Sequence, residues 1–232
     1  MNKKESLQWN PLRIIQLADE PGRYLALSVV FSCFLVLVRI ACTGQPTFLS
    51  LLWNLFLAFV PYFITKLAAW KPGWIPGKIG FIGFFLLWLV WIPNSFYILT
   101  DLFHLVDSPA DRVIPLWFDL VLILSFSWNG CMLGILSVRQ MEKILLRYVP
   151  GVQELFFLFP VMWLNAWGIY IGRYLRFNSW DVISDPFQLL VDIGEMLLHP
   201  LAYRNGWSMI SCFSVLLTLM YLTIKKIGKS IR

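Results

Sequence analysis

The feature that most constrains this chain is a series of apolar runs, each about 20 residues long, that recur along most of its length. A helix needs about 20 predominantly apolar residues to cross the roughly 30 Å hydrocarbon core of a bilayer. Hydrophobic residues make up 59% of the chain, against about 45–50% in ordinary soluble domains, and no segment resembles a separate soluble domain. The runs therefore predict an all-α integral membrane protein, with residues 1–232 forming a single transmembrane domain.

Six such runs are separated by shorter polar or basic segments. The predicted spans are about 24–42, 47–65, 79–100, 113–138, 155–174 and 206–224. Residues 1–23 are polar, so no cleavable signal peptide is expected before the first span. They are predicted to form a cytoplasmic tail with a short interfacial helix, because Asn10-Pro11 is typical of a helix start.

The basic residues are distributed unevenly between the predicted loops. The formal net charge is +6, but the Lys and Arg residues cluster at the ends of spans, which indicates membrane topology instead of a nucleic-acid partner. With a cytoplasmic N-terminus, 14 of the 19 Lys and Arg residues fall on the cytoplasmic side. Cytoplasmic loops of membrane proteins carry such an excess. The sequence therefore predicts six transmembrane helices with both termini cytoplasmic, and the lipid bilayer as partner.

A polar stripe is predicted at the outer end of the third span. Asn94, Tyr97, Asp101 and His104 are spaced by three, four and three residues, so a helix would place all four on one face. Pro93 removes a backbone donor and favours a kink just before them. A buried polar stripe in a membrane helix is costly unless it has partners. Three interpretations stay open: a stripe that holds helices together, part of a binding or reaction site, or a loop without a shared face.

A second polar group follows the fifth span. Arg173 and Arg176 are three residues apart and would share a face at the outer boundary, with Asn178 and Asp181 just beyond them. Guanidinium groups suit carboxylates and phosphates. The arginines would either bridge to acidic side chains or lipid phosphates, or hold an anionic or lipid-linked ligand. Asp119, near the outer mouth of the fourth span, is a further acidic candidate.

Four segments carry a resemblance to a known family. They are Trp53-Asn-Leu-Phe-Leu-Ala58, Trp91-Ile-Pro-Asn-Ser-Phe-Tyr-Ile-Leu-Thr-Asp-Leu-Phe-His-Leu105, Trp117-Phe-Asp119 and Gly168-Ile-Tyr-Ile-Gly-Arg-Tyr-Leu-Arg-Phe-Asn-Ser-Trp-Asp181. These segments resemble a bacterial family of multi-pass membrane proteins catalogued as domain of unknown function 1361. The resemblance runs roughly from the second span to the sixth. It implies a multi-pass protein of a bacterial cell membrane, and it supplies no activity and no catalytic residue.

A shorter amphipathic segment lies between the fifth and sixth spans. Gln188, Asp192, Glu195 and His199 recur at four, three and four residues on an otherwise apolar helix that is too short to cross a bilayer. This pattern predicts an interfacial or re-entrant helix. Its polar face is either solvated or, with His104 added, a metal site. No HExxH or comparable motif is present, so the sequence assigns no metal.

Three classes of function remain open. An outer-face enzyme on a lipid-linked or anionic substrate would hold the anion with Arg173 and Arg176 and use His104 or Asp101 as general base. A proton-coupled transporter would use Asp119, Asp101 and asparagines within the spans. A membrane assembly protein would use the polar residues only to hold its helices together. No phosphate-loop, GxSxG or CxxC motif is present, so the sequence names no reaction, cofactor or protein partner.

Overall fold

The structure is a computed structural model that describes residues 20–105, 114–177, 179–180 and 184–230. Within these residues there are helices and no strand, and six helices are long and apolar enough to cross a membrane. This confirms the predicted all-α architecture with six spans, and it makes the chain a multi-pass membrane protein in contact with the lipid bilayer. Residues 1–19, which hold most of the predicted tail and its short helix, lie outside the described ranges.

The spans are numbered here with the shorter helices in chain order. They comprise α1 (Glu20–Thr43), α2 (Leu49–Trp70), a composite third span that begins with α3 (Gly77–Trp91), α5 (Leu116–Tyr148), α6 (Glu154–Tyr170) and α8 (Arg204–Ser230). The fourth span, α5, is the most buried of the six and packs against α1, α2 and the third span. It therefore forms the centre of the described bundle.

The third span is built from three segments. α3 leads into α4 (Pro93–Tyr97), and a 3₁₀ helix then runs over Ile98–Leu105. Pro93 occupies the start of α4, where a missing N–H is tolerated. The 3₁₀ helix has three residues per turn, so Asp101 and His104 project from one side of it. The span thus carries both residues in helix, where the sequence predicted a connection after residue 100.

The fourth span is longer than the sequence predicted. The prediction ended it near residue 138, but α5 continues without a break to Tyr148. No Gly or Pro stands between Ile135 and Val149, so nothing interrupts the helical hydrogen bonds before Pro150-Gly151. The last turns of α5 carry the basic residues that the prediction assigned to a linker.

Two glycines of α5 lie directly against α4. A Cβ on Gly130 would come within 2.6 Å of the Ser95 carbonyl oxygen, and a Cβ on Gly134 within 2.6 Å of the Phe96 ring. Only the absence of side chains at these positions allows the two helices to approach this closely. The Gly-x-x-x-Gly spacing of α5 therefore serves helix packing.

The glycines of the fifth span approach the same short helix. A Cβ on Gly168 would lie 2.6 Å from Pro93 Cγ, and one on Gly172 would lie 3.2 Å from the Tyr97 ring. Both Gly-x-x-x-Gly pairs thus face α4, although they belong to different spans. This packing fixes the third span between the fourth and the fifth.

The predicted short helix between the fifth and sixth spans is present as α7 (Pro186–Leu198). The side chain of Asp185 caps its start by accepting a hydrogen bond from the Gln188 backbone N–H. Met196 is buried and packs with residues of α6 and α8, whereas other apolar side chains of α7 are exposed: Phe187, Leu190, Val191, Leu197 and Leu198. α7 is therefore attached to the bundle by one side and presents apolar residues on another.

Candidate functional site

A cavity of about 600 Å³ lies among α2, the third span, the end of the fifth span and α7. Its volume falls within the roughly 300–1,000 Å³ of sites that bind small molecules. The lining includes all four residues of the predicted stripe, Asn94, Tyr97, Asp101 and His104, together with Arg173. The fold thus brings the stripe of the third span and the first arginine of the fifth span to one place.

Asp101 is the buried centre of the polar end of the cavity. The residue is only 3% exposed. Its Oδ2 accepts a 2.9 Å hydrogen bond from Asn54 Nδ2, and its Oδ1 lies 3.4 Å from Arg173 Nη1 in an ion pair. Burial of a carboxylate is costly unless it is paired and hydrogen-bonded. Asn54 and Arg173 supply those partners, so contacts from the second and fifth spans hold the carboxylate in place.

His104 is the accessible ionisable group at this end. Its side chain is 48% exposed, against 4% for the side chain of Asp101. His104 Nε2 lies 3.3 Å from Arg173 Nη1 and 3.8 Å from Asp101 Oδ1. In the tautomer with its proton on Nδ1, Nε2 accepts a hydrogen bond from Arg173. The imidazole therefore lies at the exposed side of this group of charges, close to both the guanidinium and the buried carboxylate.

The backbone around Arg173 is irregular. α6 continues into a π-helical turn over Ile171–Leu175, and Arg176 follows in the left-handed region with φ 61°. This turn ends the helix of the fifth span, and π turns and left-handed residues both occur at helix C-termini. A residue other than glycine with a positive φ is uncommon. Together they turn the backbone so that Arg173 faces the cavity while Arg176 is exposed and lies outside the cavity lining. The shared face that helical spacing predicted for the two arginines is therefore not formed.

Asn94 links the third span to the segment after the fifth. Its Nδ2 donates to the Trp91 carbonyl oxygen at 2.9 Å and to Ser179 Oγ at 2.7 Å. Ser179 Oγ in turn donates to the Val90 carbonyl oxygen at 3.2 Å. Asn94 and Ser179 both line the cavity, so this network fixes part of its wall.

A family model described as a protein of unknown function (DUF1361) matches residues 53–220. The chain belongs to the DUF1361 family. Neither a curated protein nor a solved structure matches it. The DUF1361 match contains the four polar residues at the end of the cavity, Asn54, Asp101, His104 and Arg173. The matched region therefore contains the site, and a family of unknown function assigns no chemistry to it.

Asp119 of this DUF1361 protein lies outside the cavity lining. It forms an ion pair with Arg39, in which Nε lies 2.8 Å from Oδ1 and Nη2 donates to Oδ2 at 3.3 Å. The guanidinium also lies 4.3 Å from the centre of the Phe48 ring. Asp119 therefore connects the first span to the fourth, and it does not line the cavity that Asp101 lines.

The residues considered for metal binding are engaged in separate contacts. Asp192 accepts a 2.9 Å hydrogen bond from Gln188, Glu195 lies 3.4 Å from the Tyr203 hydroxyl, and His199 ends α7. Within residues 20–105, 114–177, 179–180 and 184–230, no three His, Cys, Asp or Glu side chains are grouped as metal ligands would be. The candidates Asn178 and Asp181 lie outside these ranges.

Two polar residues of the DUF1361 cavity are not marked by any functional motif in the sequence. Asn54 is the partner of Asp101, and Ser179 is the partner of Asn94. The signal available for Asn54 was its position near the start of the second span, which lies level with the end of the antiparallel third span. Ser179 gave no signal, because its role depends on how the chain turns after the π turn.

Proposed function

We propose that this DUF1361 protein is a membrane enzyme that performs acid–base chemistry on an anionic group bound at the polar end of the cavity. The observation that carries the proposal is the convergence of three ionisable groups there. His104 Nε2 lies 3.3 Å from Arg173 Nη1 and 3.8 Å from Asp101 Oδ1. Convergent polar groups in a well-formed cavity are the usual arrangement of an active site.

Arg173 is the group that would hold the anion. Its hydrogen bonds to Asp101 and His104 both use Nη1. Among the described residues, Nε and Nη2 have no hydrogen-bonding partner, and these two atoms form one edge of the guanidinium. Such an edge binds two oxygens of a carboxylate or phosphate at once.

His104 would act as the general base, and Asp101 would support it. When a bound anion draws Arg173 away from Nε2, that nitrogen would take the proton of a water or hydroxyl group as it attacks the phosphoryl or acyl centre of the substrate. The imidazolium would then give this proton to the oxygen that leaves as the old bond breaks. The imidazolium that forms is stabilised by the nearby carboxylate, as fixed charges stabilise charge that develops during a reaction. Asn54 keeps that carboxylate oriented through its hydrogen bond.

The proposed location is the outer face of a bacterial cell membrane, with both termini in the cytoplasm. The excess of Lys and Arg on one set of loops supports this orientation. The cavity's polar end lies at the ends of the third and fifth spans, on the side with few basic residues. The substrate would therefore reach the site from outside the cytoplasm.

A purely structural role is the alternative that a test must separate, because the ion pair between Asp101 and Arg173 also joins two spans. We would compare a deletion strain of the source organism with strains that carry His104→Gln, Asp101→Asn or Arg173→Gln. Lipid and metabolite profiles would be measured, together with the amount of folded protein in the membrane. Matched controls are His199→Gln and Arg176→Gln, which change the same residue types outside the cavity lining.

We expect the deletion to accumulate an anionic species, and the two control variants to restore the normal profile. The three cavity variants should be present in the membrane at normal levels and fail to restore it. General acid–base groups typically contribute about 10²–10⁴-fold to a rate, so residual activity should be small. Normal profiles with all three cavity variants, or their loss from the membrane, would overturn the proposal.

A further inference from the structure

We propose that the ligand of the cavity is a lipid, with its anionic head group at Arg173 and its apolar chain along the inner part of the cavity, and that it enters sideways from the bilayer. This inference rests on the proposed function, because it names the substrate class of the same site. Four features of the cavity support this inference: the change of its lining from polar to apolar, its depth, its side wall and its roof.

The lining of the cavity changes from polar to apolar along its length. Asn54, Asp101, His104 and Arg173 lie together at one end. The remainder of the wall is largely apolar, with Leu57, Leu89 and Leu164 among its residues, and its polar residues Asn94 and Ser179 are hydrogen-bonded to each other. A small hydrophilic anion would complement only the polar end. A molecule with a charged head and an apolar chain complements both ends, because apolar surface gains most when it is covered by apolar atoms.

The cavity is deep enough to reach the hydrocarbon region. Leu164 precedes Arg173 by nine residues on the fifth span, and both line the cavity. At a rise of about 1.5 Å per residue this separation corresponds to about 13 Å along the membrane normal. Half of a bilayer's hydrocarbon core is about 15 Å thick. The inner part of the cavity therefore lies at the depth of acyl chains.

The cavity occupies a groove between α2 and α6. Ser95 of α4 donates to the Ala58 carbonyl oxygen of α2, whereas Pro93 of α4 packs against Gly168 of α6. Positions two residues apart on a helix point in nearly opposite directions, so α2 and α6 flank α4 on two sides. The third span thus forms the floor of the groove, and the two flanking spans form its walls.

The groove is open at the side. Trp53 of α2 and Leu164 of α6 both line the cavity, yet they remain 53% and 40% exposed. They lie within membrane-spanning helices, where an exposed apolar side chain faces lipid. Trp53 also meets the ring of Trp180, with ring centroids 6.4 Å apart, so these two indoles border the passage from the bilayer into the cavity.

The roof of the cavity is also apolar. Leu189 and Ile193 of α7 line the cavity, and Phe187, Leu190 and Leu198 of the same helix are exposed. A short helix that exposes large apolar side chains beside polar ones is typical of a helix that lies in the membrane interface. A ligand passing beneath α7 would thus move through lipid instead of water.

The experiment uses the full-length protein in phosphatidylcholine nanodiscs and a lysophosphatidic acid with a diazirine at the end of its chain. After illumination, mass spectrometry maps the residues that the probe has modified. We expect adducts at Leu57, Leu89 and Leu164, which line the inner part of the cavity. Unlabelled dodecyl phosphate should compete on the order of ten-fold better than butyl phosphate at equal mole fraction in the disc, because its longer chain makes more van der Waals contacts along the cavity wall. Inorganic phosphate should compete least.

Two variants that fill the cavity make the test specific. Leu164→Trp and Ile193→Trp should each reduce the adducts, and they should remove the advantage of the longer chain. The matched control is Leu86→Trp, since Leu86 is exposed on α3 and does not line the cavity. The second filling variant guards against misfolding of the first.

The outcomes separate this inference from the proposed function. Adducts spread evenly over lipid-facing residues, or unchanged by both filling variants, would overturn the lipid inference. Equal competition by butyl phosphate, dodecyl phosphate and inorganic phosphate would also overturn it, yet would leave the anion site standing if Arg173→Gln abolishes that competition. If Arg173→Gln leaves the cavity adducts unchanged, the groove still binds the apolar chain, but the assignment of the anionic head group to Arg173 is overturned.

Discussion

Asn54 Nδ2 donates a 2.9 Å hydrogen bond to Asp101 Oδ2, and this contact joins the second span to the third at the polar end of the cavity. The two residues are 47 positions apart in the sequence. The carboxylate is buried, so its alignment depends on partners from other spans and not on water. The hydrogen bond from Asn54 should therefore contribute to the stability of the bundle.

Asn54→Leu should destabilise the protein by about 1–3 kcal/mol, because a buried acceptor loses its donor. The free energy of unfolding can be measured by titration with a denaturing detergent in mixed micelles. Asn205→Leu provides the control, since Asn205 is exposed at the start of α8. Equal stability of the two variants would contradict the role assigned to this hydrogen bond.

Arg39→Leu should cost about 3–5 kcal/mol, because it leaves the carboxylate of Asp119 buried without its counter-charge. The double variant Arg39→Leu, Asp119→Leu should lose less stability than the sum of the two single variants. The same detergent titration measures this coupling, with Arg204→Leu at an exposed position as control. Strict additivity would show that the two side chains do not interact.

Gly168→Ala should destabilise the bundle by about 1–3 kcal/mol, because the added methyl group would lie 2.6 Å from Pro93 Cγ. Gly83→Ala makes the same chemical change on α3, where nothing lies within 4 Å of the added atom. The control should be neutral or slightly stabilising, since alanine favours helix more than glycine does. The melting temperatures of the Gly168→Ala and Gly83→Ala variants would be compared in detergent. An equal decrease in both variants would contradict the close contact between Gly168 and Pro93.

Lys225→Met should strongly destabilise the opposite end of the bundle. Lys225 Nζ lies 2.6 Å and 2.7 Å from the two carboxylate oxygens of Glu142, and 2.9 Å from Glu154 Oε1. Loss of the cation leaves the largely buried carboxylate of Glu142 without a counter-charge and with the Tyr221 hydroxyl as its remaining hydrogen-bond donor, at a cost of about 3 kcal/mol. The neighbouring Lys226 is exposed, so Lys226→Met should change the free energy of unfolding little.

Orientation can be tested with single cysteines in a chain whose four natural cysteines are replaced by alanine. Gln45→Cys lies between α1 and α2, and Gln153→Cys lies between α5 and α6; both positions are exposed. The excess of basic residues predicts that Gln45→Cys reacts with a membrane-impermeant maleimide in intact cells. Gln153→Cys should react only after permeabilisation, and the reverse pattern would place the cavity on the cytoplasmic side.

The packing partner of the two glycine pairs could not be predicted from the sequence. A Gly-x-x-x-Gly spacing is typical of close helix approach but names no partner. The chain has this spacing at Gly130 and Gly134 and at Gly168 and Gly172. Both pairs contact α4, a segment of five residues in another span. Periodicity states which residues share a face of one helix, but the neighbour of that face depends on how all six spans pack together.

The sequence by itself determined the number of membrane spans and the grouping of the stripe on the third, because bilayer thickness sets the length of apolar runs and helical geometry sets the spacing of a face. It did not determine that Arg173 turns toward Asp101 while Arg176 turns away. That separation comes from the π turn and the left-handed residue after it. The tertiary structure alone decided it, because contacts between distant spans select such irregular backbone conformations and no local pattern of residue types encodes them.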